Sequence, residues 1–228
     1  MKNFKTLFFI ILVIGLIIIG FSISPKEDYS SENLLGISYD IEGNQSSLSY
    51  ESENPIVAMR IQKYGSIVME LYPDIAPNTV NNFISLILKG FYDNNTFHRL
   101  MPGFVLQGGD PTGTGSGGPG YRIRGEFTNN GFENNLSHEK WVVSMARSNN
   151  SYDSAGSQFF ICLGDPTYLD DNYATFGKVI DGFDTLEKIA KNEIIADTAS
   201  GKLQTNLKLV KTIIDLKGKE YSEPEKMS

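Results

Sequence analysis

The residues best suited to chemistry lie in one stretch, FHRLMPGFVLQGGD, at positions 97–110. It sets Arg99 and Gln107 among apolar side chains of the kind that a strand buries. An arginine keeps its charge at neutral pH and presents its N–H donors as a rigid planar fork, so it can stabilise an electron-rich centre electrostatically. Taken alone, the stretch fits equally well a surface arginine whose stem crosses apolar neighbours and whose head pairs with a carboxylate.

A second segment, GSQFFICLG, could bring amide and aromatic side chains to the same surface. Gln158 and Phe160 are two positions apart and so share one face of a strand, whereas Phe159 points to the opposite face. Val105 and Gln107 share a face for the same reason. The sequence therefore predicts a sheet surface that displays aromatic rings, two amides and one arginine together.

The elements that must position these residues are mostly short strands. Alternating apolar residues predict a hairpin over 56–71, and strand-like runs follow at 103–107, 141–146, 158–163, 175–180 and 207–217. Apolar residues at helical spacing predict one helix within APNTVNNFISLILKG and a second over 183–191. Many short strands with two helices indicate a mainly β fold, a closed antiparallel barrel capped by the helices.

Composition argues against several classes of function. The net charge is −7 and no stretch is rich in Lys or Arg, which disfavours nucleic-acid binding. The two histidines, His98 and His138, lie far apart and lack metal-ligand spacing. Cys162 lies in an apolar run that is typical of a buried structural thiol. We therefore expect neither a metal site nor a cysteine nucleophile.

The segment GTGSGG, at 113–118, formally matches the dinucleotide-binding pattern G-x-G-x-x-G. That pattern needs a helix immediately after the glycines, because the phosphates bind at the helix N-terminus. Here the glycines are followed by PGYRIRGEF, whose pattern is extended. The segment is better interpreted as a Gly-rich surface loop.

Apolar and polar blocks divide the chain into four parts. Residues 1–24 contain Lys2 and Lys5 followed by an apolar run close to the roughly 17 residues of a spanning helix. This predicts an uncleaved N-terminal hydrophobic helix that anchors the chain in a membrane with the domain outside the cytoplasm. Cleavage as a signal peptide, followed by secretion, is the alternative. The remaining parts are a flexible acidic linker over 25–53, the globular domain over 54–217 and a disordered polar tail over 218–228.

Three ordered motifs, FHRLMPGFVLQGGD, GSQFFICLG and FGKVIDG, resemble the signatures of the cyclophilin family of peptidyl-prolyl cis-trans isomerases. The resemblance covers residues 54–217, the whole predicted globular part. It implies a cyclophilin-like fold, an eight-stranded antiparallel barrel capped by two helices. It also implies an enzyme that isomerises X-Pro bonds, here of exported or extracytoplasmic proteins whose folding it assists. A cyclophilin-like peptide-binding or scaffold module with little catalysis is the alternative.

The resemblance also implies an active site on the outer face of the barrel, with Arg99 at the position of the family's catalytic arginine. The implied proline pocket consists of Phe104, Val105, Phe160 and Leu169. The implied groove for the substrate backbone consists of His98, Gln107, Gln158, Ala146, Arg147 and Ser148. Tyr168 and Tyr173 complete the rim of the binding site.

Four of these positions depart from residues that are common in the family. Tyr168 stands where many eukaryotic members have a tryptophan important for cyclosporin binding, so we expect weak cyclosporin inhibition. Tyr173 replaces a common histidine, Arg147 a common asparagine and Val105 a methionine. We expect isomerisation to survive these changes, because backbone groups near Arg147 do most of the binding there.

The implied reaction needs little beyond these residues. Unaided, an X-Pro bond isomerises slowly because rotation breaks amide resonance, at a barrier of about 18–20 kcal/mol. A guanidinium aimed at the proline nitrogen would stabilise the twisted state, in which that nitrogen regains its lone pair. The implied partners are proline-containing peptides and unfolded proteins, with the membrane as a further partner of the N-terminal segment. No cofactor, metal or nucleic acid is implied.

Overall fold

The computed structural model describes residues 37–39, 45–48 and 50–227. The predicted N-terminal hydrophobic helix, residues 1–24, lies outside the described residues, and so does most of the predicted linker. Two short strands, β1 (Ile37–Tyr39) and β2 (Gln45–Leu48), pair antiparallel in a sheet of their own. None of the described helices is long and apolar enough to cross a bilayer.

The main sheet has nine strands, accompanied by two helices. In chain order the elements are β3 (Ile56–Ile61), β4 (Gly65–Leu71), α1 (Pro77–Leu88), β5 (Thr96–Met101), β6 (Val105–Asp110), β7 (Val142–Met145), β8 (Phe159–Cys162), β9 (Thr175–Asp181), α2 (Phe183–Asn192), β10 (Ile195–Asp197) and β11 (Lys202–Asp215). The strand order is β10-β11-β3-β4-β9-β7-β8-β6-β5, and all neighbours are antiparallel. Because β11 also pairs with β5, eight strands close into a barrel and β10 lies outside the ring.

Apolar side chains that alternate along the strands point into the barrel and fill its interior. Val57 and Ile61 of β3 are fully buried in the main core, while Ala58 belongs to a separate cluster on the other face of the sheet. From α1, Phe83 enters the same main core, and its ring centre lies 5.3 Å from that of Phe159 in an edge-to-face arrangement. The predicted mainly β fold, a closed eight-stranded antiparallel barrel with two helices, is confirmed. Because the interior is apolar, polar site residues must lie on the outer face.

β6 begins two residues later and ends three residues later than the predicted run 103–107, and three further strands of the main sheet differ more from the sequence-based expectation. β5 arises from TFHRLM, which lacks a regular alternation, and its pairing with β6 slips on both sides of Phe97. β10 has three residues and is too short to leave a pattern. β11 begins at Lys202 instead of the predicted 207, because its first residues are mostly polar and exposed yet still reach β5.

The polar tail packs against α1, so the predicted disorder of this segment is wrong. Pro224 is buried. Asn78 and Glu225 exchange two hydrogen bonds: Asn78 Nδ2 donates to the Glu225 carbonyl at 3.1 Å, and the Glu225 N–H donates to Asn78 Oδ1 at 2.7 Å. Met227 and Arg122 are joined by two backbone hydrogen bonds. A polar tail can dock in this way because the helix and a neighbouring loop offer it polar partners, which composition does not reveal.

Candidate active site

Cross-strand register gathers the chemistry-bearing residues into one row on the outside of the barrel. Phe160 of β8 lies opposite Gln107 of β6, which lies opposite Arg99 of β5. Arg99 in turn lies opposite Lys202 of β11. Since adjacent strands are about 4.8 Å apart, these four residues, here named the site row, extend over ~14 Å of the barrel surface.

The guanidinium of Arg99 is held by the protein on several sides. Nε donates to the Ser200 carbonyl at 2.8 Å, and Nη1 donates to Gln107 Oε1 at 3.1 Å. Nη2 lies 2.8 Å from Met101 Sδ, and the guanidinium carbon lies 5.7 Å from the centre of the Phe104 ring. Partial burial lowers the pKa of Arg99, but arginine starts so high that the side chain remains charged at neutral pH. The fork is therefore fixed in direction at the edge of an aromatic surface.

Amide hydrogen bonds connect Arg99 to the loop after β6. Gln107 Nε2 donates to Gln158 Oε1 at 3.0 Å. Gln158 Nε2 donates in turn to the carbonyls of Gly115 and Gly117 at 3.0 and 2.9 Å. The two amides that the sequence placed near the arginine therefore orient each other and, through Gln107, orient the guanidinium.

The Gly-rich loop turns backbone donors inward, onto the buried carboxylate of Asp110. Oδ1 accepts the N–H of Thr112 at 2.7 Å, and Oδ2 accepts those of Thr114 and Gly115 at 3.0 and 2.6 Å. Burial by itself would raise the pKa of Asp110, yet hydrogen bonds from Thr112, Gly117 and Gly115 hold it well below its usual value. A Cβ at Gly117 would lie 2.0 Å from Asp110 Oδ1, so only glycine fits. With these N–H groups engaged, the loop is a structural turn and not a phosphate cradle.

An apolar pocket opens beside the guanidinium. Its wall consists of Phe104, Val105, Phe160, Leu169 and Tyr173. The whole cleft has a volume of about 580 Å³ and also includes Arg99 and Gln107. Val105 and Phe160 are almost fully buried and form a cluster with Cys162. Burial raises the pKa of Cys162 to about 12, so its thiol is a packing group and not a nucleophile, as the sequence indicated.

Most of the predicted site residues line this cleft. They are His98, Arg99, Phe104, Val105, Gln107, Ala146, Arg147, Phe160, Leu169 and Tyr173. Ser148 and Gln158 line a neighbouring cleft of about 580 Å³, which shares Gln107 and Arg147 with the first. Tyr168 lines neither of the two, since its residue surface is 72% exposed and its ring stacks on Phe104 at a centroid distance of 6.0 Å. Tyr168 is therefore a rim residue.

Arg147 forms the opposite rim of the pocket by a different means. Its guanidinium carbon lies 4.5 Å from the ring centre of Tyr173, and 5.0 and 5.5 Å from those of Tyr152 and Phe127. Nε donates to the Asn172 carbonyl at 2.8 Å. Within residues 50–227, no protein group hydrogen-bonds to the backbone N–H or C=O of Arg147. This peptide unit is therefore open to an extended ligand.

Several lining residues were not among the predicted ones: Gly113, Thr114, Gly115, Asn149, Ser200 and Lys202. Ser200 belongs to the connection between β10 and β11, and Lys202 is the first residue of β11. Ser200 lies 101 positions beyond Arg99 in the chain. Closure of the barrel through β5 and β11 brings them to the site. The sequence signal for this close approach is Gly201, a turn residue. A Cβ at this position would lie 2.8 Å from the Leu100 carbonyl, so β5 can approach closely only because the residue is glycine.

Buried histidines support the site from below. His138 Nδ1 lies 2.7 Å from Asp170 Oδ1 and Nε2 lies 3.0 Å from Ser144 Oγ, the connectivity of a Ser-His-Asp triad. Ser144 has no exposed surface, so substrate cannot reach its hydroxyl and the trio is structural. The imidazole stacks on Phe160, which stiffens the pocket wall. Burial lowers the pKa of His138, against the opposing effect of Asp170, and burial also lowers the pKa of His98.

Comparison with known proteins gives the family. The sequence matches the family described as cyclophilin type peptidyl-prolyl cis-trans isomerase/CLD over residues 56–214, from the start of β3 almost to the end of β11. It is 43% identical over 133 residues to a peptidyl-prolyl cis-trans isomerase of Helicobacter pylori, covering 58% of this chain and 78% of that protein. It is 44% identical over 131 residues to peptidyl-prolyl cis-trans isomerase B of Bacillus subtilis, covering 58% of this chain and 87% of that protein.

Solved structures point to the same family. One is a crystal structure of a Cryptosporidium parvum cyclophilin-type peptidyl-prolyl cis-trans isomerase in the presence of the dipeptide Ala-Pro. It is similar to this chain with a TM-score of 0.62 at 32% sequence identity. The match covers 70% of this chain and 98% of that one, so it takes in nearly the whole of the solved protein.

Proposed function

This chain belongs to the cyclophilin-type peptidyl-prolyl cis-trans isomerases, and from that premise we propose that it acts on X-Pro bonds of exported proteins with Arg99 as its catalytic residue. The observation that carries this role is the fixed guanidinium of Arg99 at the edge of the pocket walled by Phe104 and Phe160. An apolar pocket suits a proline ring. The Cryptosporidium parvum relative was crystallised in the presence of Ala-Pro, which supports a ligand of this kind.

Catalysis requires that the twisted amide be stabilised more than the planar one. Rotation about an X-Pro bond breaks amide resonance, which accounts for a barrier of about 18–20 kcal/mol. In the twisted state the proline nitrogen holds a localised lone pair that can accept a hydrogen bond. A donor aimed at that nitrogen therefore stabilises the transition state more than the ground state. Arg99 suits this task because it offers several N–H donors and keeps its charge at neutral pH.

Neighbouring groups hold Arg99 ready for the reaction. The Ser200 carbonyl engages Nε and Gln107 engages Nη1, which together fix the plane of the guanidinium. Gln107 is itself held by Gln158. Donors that are oriented in advance stabilise a transition state effectively, because they need no reorganisation when the bond rotates.

The remainder of the cleft would hold the peptide. The open peptide unit of Arg147 can pair with the backbone of the residue before the proline, as an added strand pairs with a sheet edge. Ala146 and Ser148 flank that unit, and His98 lines the floor near Arg99. Leu169 and Tyr173 close the pocket around the proline ring. All of these groups bind or position the substrate, and none takes part in a covalent step.

Exchange NMR on a short Ala-Pro peptide tests the activity directly. With the full chain in detergent micelles, we expect the cis and trans signals to exchange at a rate proportional to enzyme concentration. The Arg99→Ala variant is the matched control and should exchange the signals far more slowly. Peptide binding by the unmodified chain without faster exchange would contradict catalysis and leave a peptide-binding module.

The clients would be exported polypeptides, with the domain outside the cytoplasm. Support comes from the apolar run at the N-terminus and from Lys2 and Lys5 before it, which favour retention of the N-terminus in the cytoplasm. X-Pro isomerisation is slow enough to limit the folding of such clients. Carbonate extraction of membranes tests the attachment. We expect the chain in the membrane pellet, and a chain in the soluble fraction would favour secretion after cleavage.

A further inference from the structure

The clefts around the site row are cationic although the protein is acidic. Arg99, Arg147 and Lys202 line the first cleft, and Arg122 lines its neighbour. No Asp or Glu lines either of these two clefts. The whole chain, in contrast, carries a net charge of −7. A cleft whose charge is opposite to that of the rest of the protein concentrates ligands of the other sign, here anionic ones.

Lys202 is the cation in the first cleft that the isomerisation chemistry leaves unused. It lies opposite Arg99 in the strand pair that closes the barrel, at one end of the site row. Within residues 50–227 its ammonium group makes no ion pair. Asp197 of β10 lies opposite Lys202. Its pKa is lowered mainly by hydrogen bonds from the Ser200 hydroxyl at 2.6 Å and the Ala199 N–H at 3.0 Å, and the charge of Lys202 is the smallest of the causes.

The direction of a bound peptide follows from the pocket and from Arg147. In the proposed function, on which this inference rests, the open peptide unit of Arg147 holds the residue before the proline. The chain after the proline then leaves past Arg99 toward Lys202. The site row spans ~14 Å from Phe160 to Lys202, and an extended peptide advances about 3.3–3.6 Å per residue. Because a lysine side chain itself covers several ångströms of this distance, it would meet a residue about two or three positions after the proline.

We infer that Lys202 is a specificity-determining residue that selects substrates with an acidic side chain about two or three positions after the proline. The substrate carboxylate pairs with Lys202 Nζ at the cleft rim, while Arg99 stays engaged with Gln107 and Ser200. Exposed ion pairs contribute little each, so the preference is about 2–5-fold in kcat/KM at low ionic strength. It arises mainly in KM, because the pair forms equally well with the planar and the twisted peptide.

The test compares peptides that differ only in charge, using exchange NMR and the full chain at substrate concentrations below KM. One peptide carries Glu two or three positions after the proline, and its partner carries Gln at the same place. We expect kcat/KM to be about threefold higher for the Glu peptide at low salt. The ratio should approach one in about 0.5 M NaCl, because salt screens exposed charge pairs.

Charge reversal assigns the effect to one residue. Lys202→Gln should abolish the Glu preference, and Lys202→Glu should invert it. Lys208→Glu is the matched control, since Lys208 is an exposed lysine of the same strand, lies opposite Thr96 and lines neither of the two clefts. It makes the same change in net charge and should retain the ratio. A peptide pair with Glu or Gln before the proline controls for general attraction, and its ratio should not respond to Lys202→Glu.

The possible failures are distinguishable. Equal rates for the Glu and Gln peptides, with isomerisation intact, would overturn the inference and leave the isomerase function standing. A preference that survives Lys202→Glu, or that is lost equally in Lys208→Glu, would reflect the overall charge of the protein and would also overturn it. Absence of isomerisation with every peptide would overturn the proposed function together with the inference.

Discussion

The cleft contains two arginines whose surroundings differ: Arg99 lies beside an amide side chain and one aromatic ring, and Arg147 lies among three aromatic rings. Arg99 is held by directional hydrogen bonds to Ser200 and Gln107, so the directions of its N–H groups are set. Arg147 lies among three aromatic rings at 4.5, 5.0 and 5.5 Å, and its Nε and Nη1 donate to the backbone carbonyls of Asn172 and Ser148 at 2.8 and 3.0 Å. Arg99 is thus arranged to act through the N–H donors of its side chain. The side chain of Arg147 forms part of the pocket wall, and its backbone N–H and C=O are the groups available to a peptide.

The largest effect should follow the loss of the Arg99 fork. Arg99→Ala should lower kcat/KM about 10²–10³-fold, the typical loss when one preorganised donor is removed. The free energy of unfolding should change by about 1 kcal/mol or less, because the side chain is only half-buried. Arg99→Lys should recover little, since a point charge lacks the planar fork. Exchange NMR and thermal denaturation measure the two quantities.

Phe104→Ala supplies the control for this variant. It removes pocket wall and packing together, so activity and thermal stability should both fall. The catalytic role of Arg99 would be contradicted if the Arg99→Ala protein were as active as the unmodified chain. It would also be contradicted if the variant lost stability but kept its specific activity.

The next effect should come from the acceptor that orients Arg99. Gln107→Ala removes the partner of Nη1 and the link to Gln158. We expect a loss of about 5–10-fold in kcat/KM, the equivalent of one net hydrogen bond. Gln158→Ala acts one hydrogen bond further away and should lower the rate less. An equal loss from both variants would mean that the amides serve substrate binding in general and not the orientation of the arginine.

The rim beside Arg99 provides a third, smaller test. Tyr168 is exposed and stacks on Phe104, and its hydroxyl must stay solvated, so we expect weak inhibition of the unmodified chain by cyclosporin. Tyr168→Trp enlarges the apolar face and should strengthen inhibition about 2–10-fold. Inhibition of isomerisation by titrated cyclosporin measures both proteins. Tight inhibition of the unmodified chain would show that a tyrosine at this rim suffices.

At the other arginine the expected effect on activity is small. Arg147→Ala leaves the open peptide unit in place, so kcat/KM should fall about threefold or less. Stability should fall by about 1–2 kcal/mol, because contacts with Tyr173, Tyr152 and Phe127 are lost. Arg147→Lys keeps the charge without the flat stacking surface and should restore only part of that stability. A loss of activity comparable with that of Arg99→Ala would contradict a purely structural side chain.

Each side of the cleft also rests on a buried histidine, His98 beside Arg99 and His138 behind Phe160. Burial lowers both pKa values, so between the unfolded pKa of about 6.5 and the folded values the unfolded chain binds more protons. Stability is therefore complete above about pH 6.5 and decreases as the pH falls below it. Urea denaturation from about pH 7.5 to 5.5 should show this decline, with a flatter profile for His138→Gln. A flat profile in the unmodified chain would contradict it.

Features that depend on neighbouring positions could be predicted from the sequence. The two-residue repeat of strands put Gln158 and Phe160 on one face. The motif at 97–110 identified Arg99 and the neighbouring pocket residues. Ser200 and Lys202 could not be predicted, because they reach the site only through the pairing of β5 with β11. The direction of the backbone N–H groups in the Gly-rich loop could not be predicted either, since it depends on the burial of the Asp110 carboxylate that accepts them.

The position of β11 along the chain has a consequence for biogenesis. This strand pairs with β3 on one side and with β5 on the other. A chain still on the ribosome therefore carries Arg99 and most of its pocket before it carries the Ser200 carbonyl that holds Nε. Pairings between segments far apart in sequence form slowly. The guanidinium of Arg99 therefore acquires its full set of hydrogen-bond partners only after β11, the last long strand, has docked between β3 and β5.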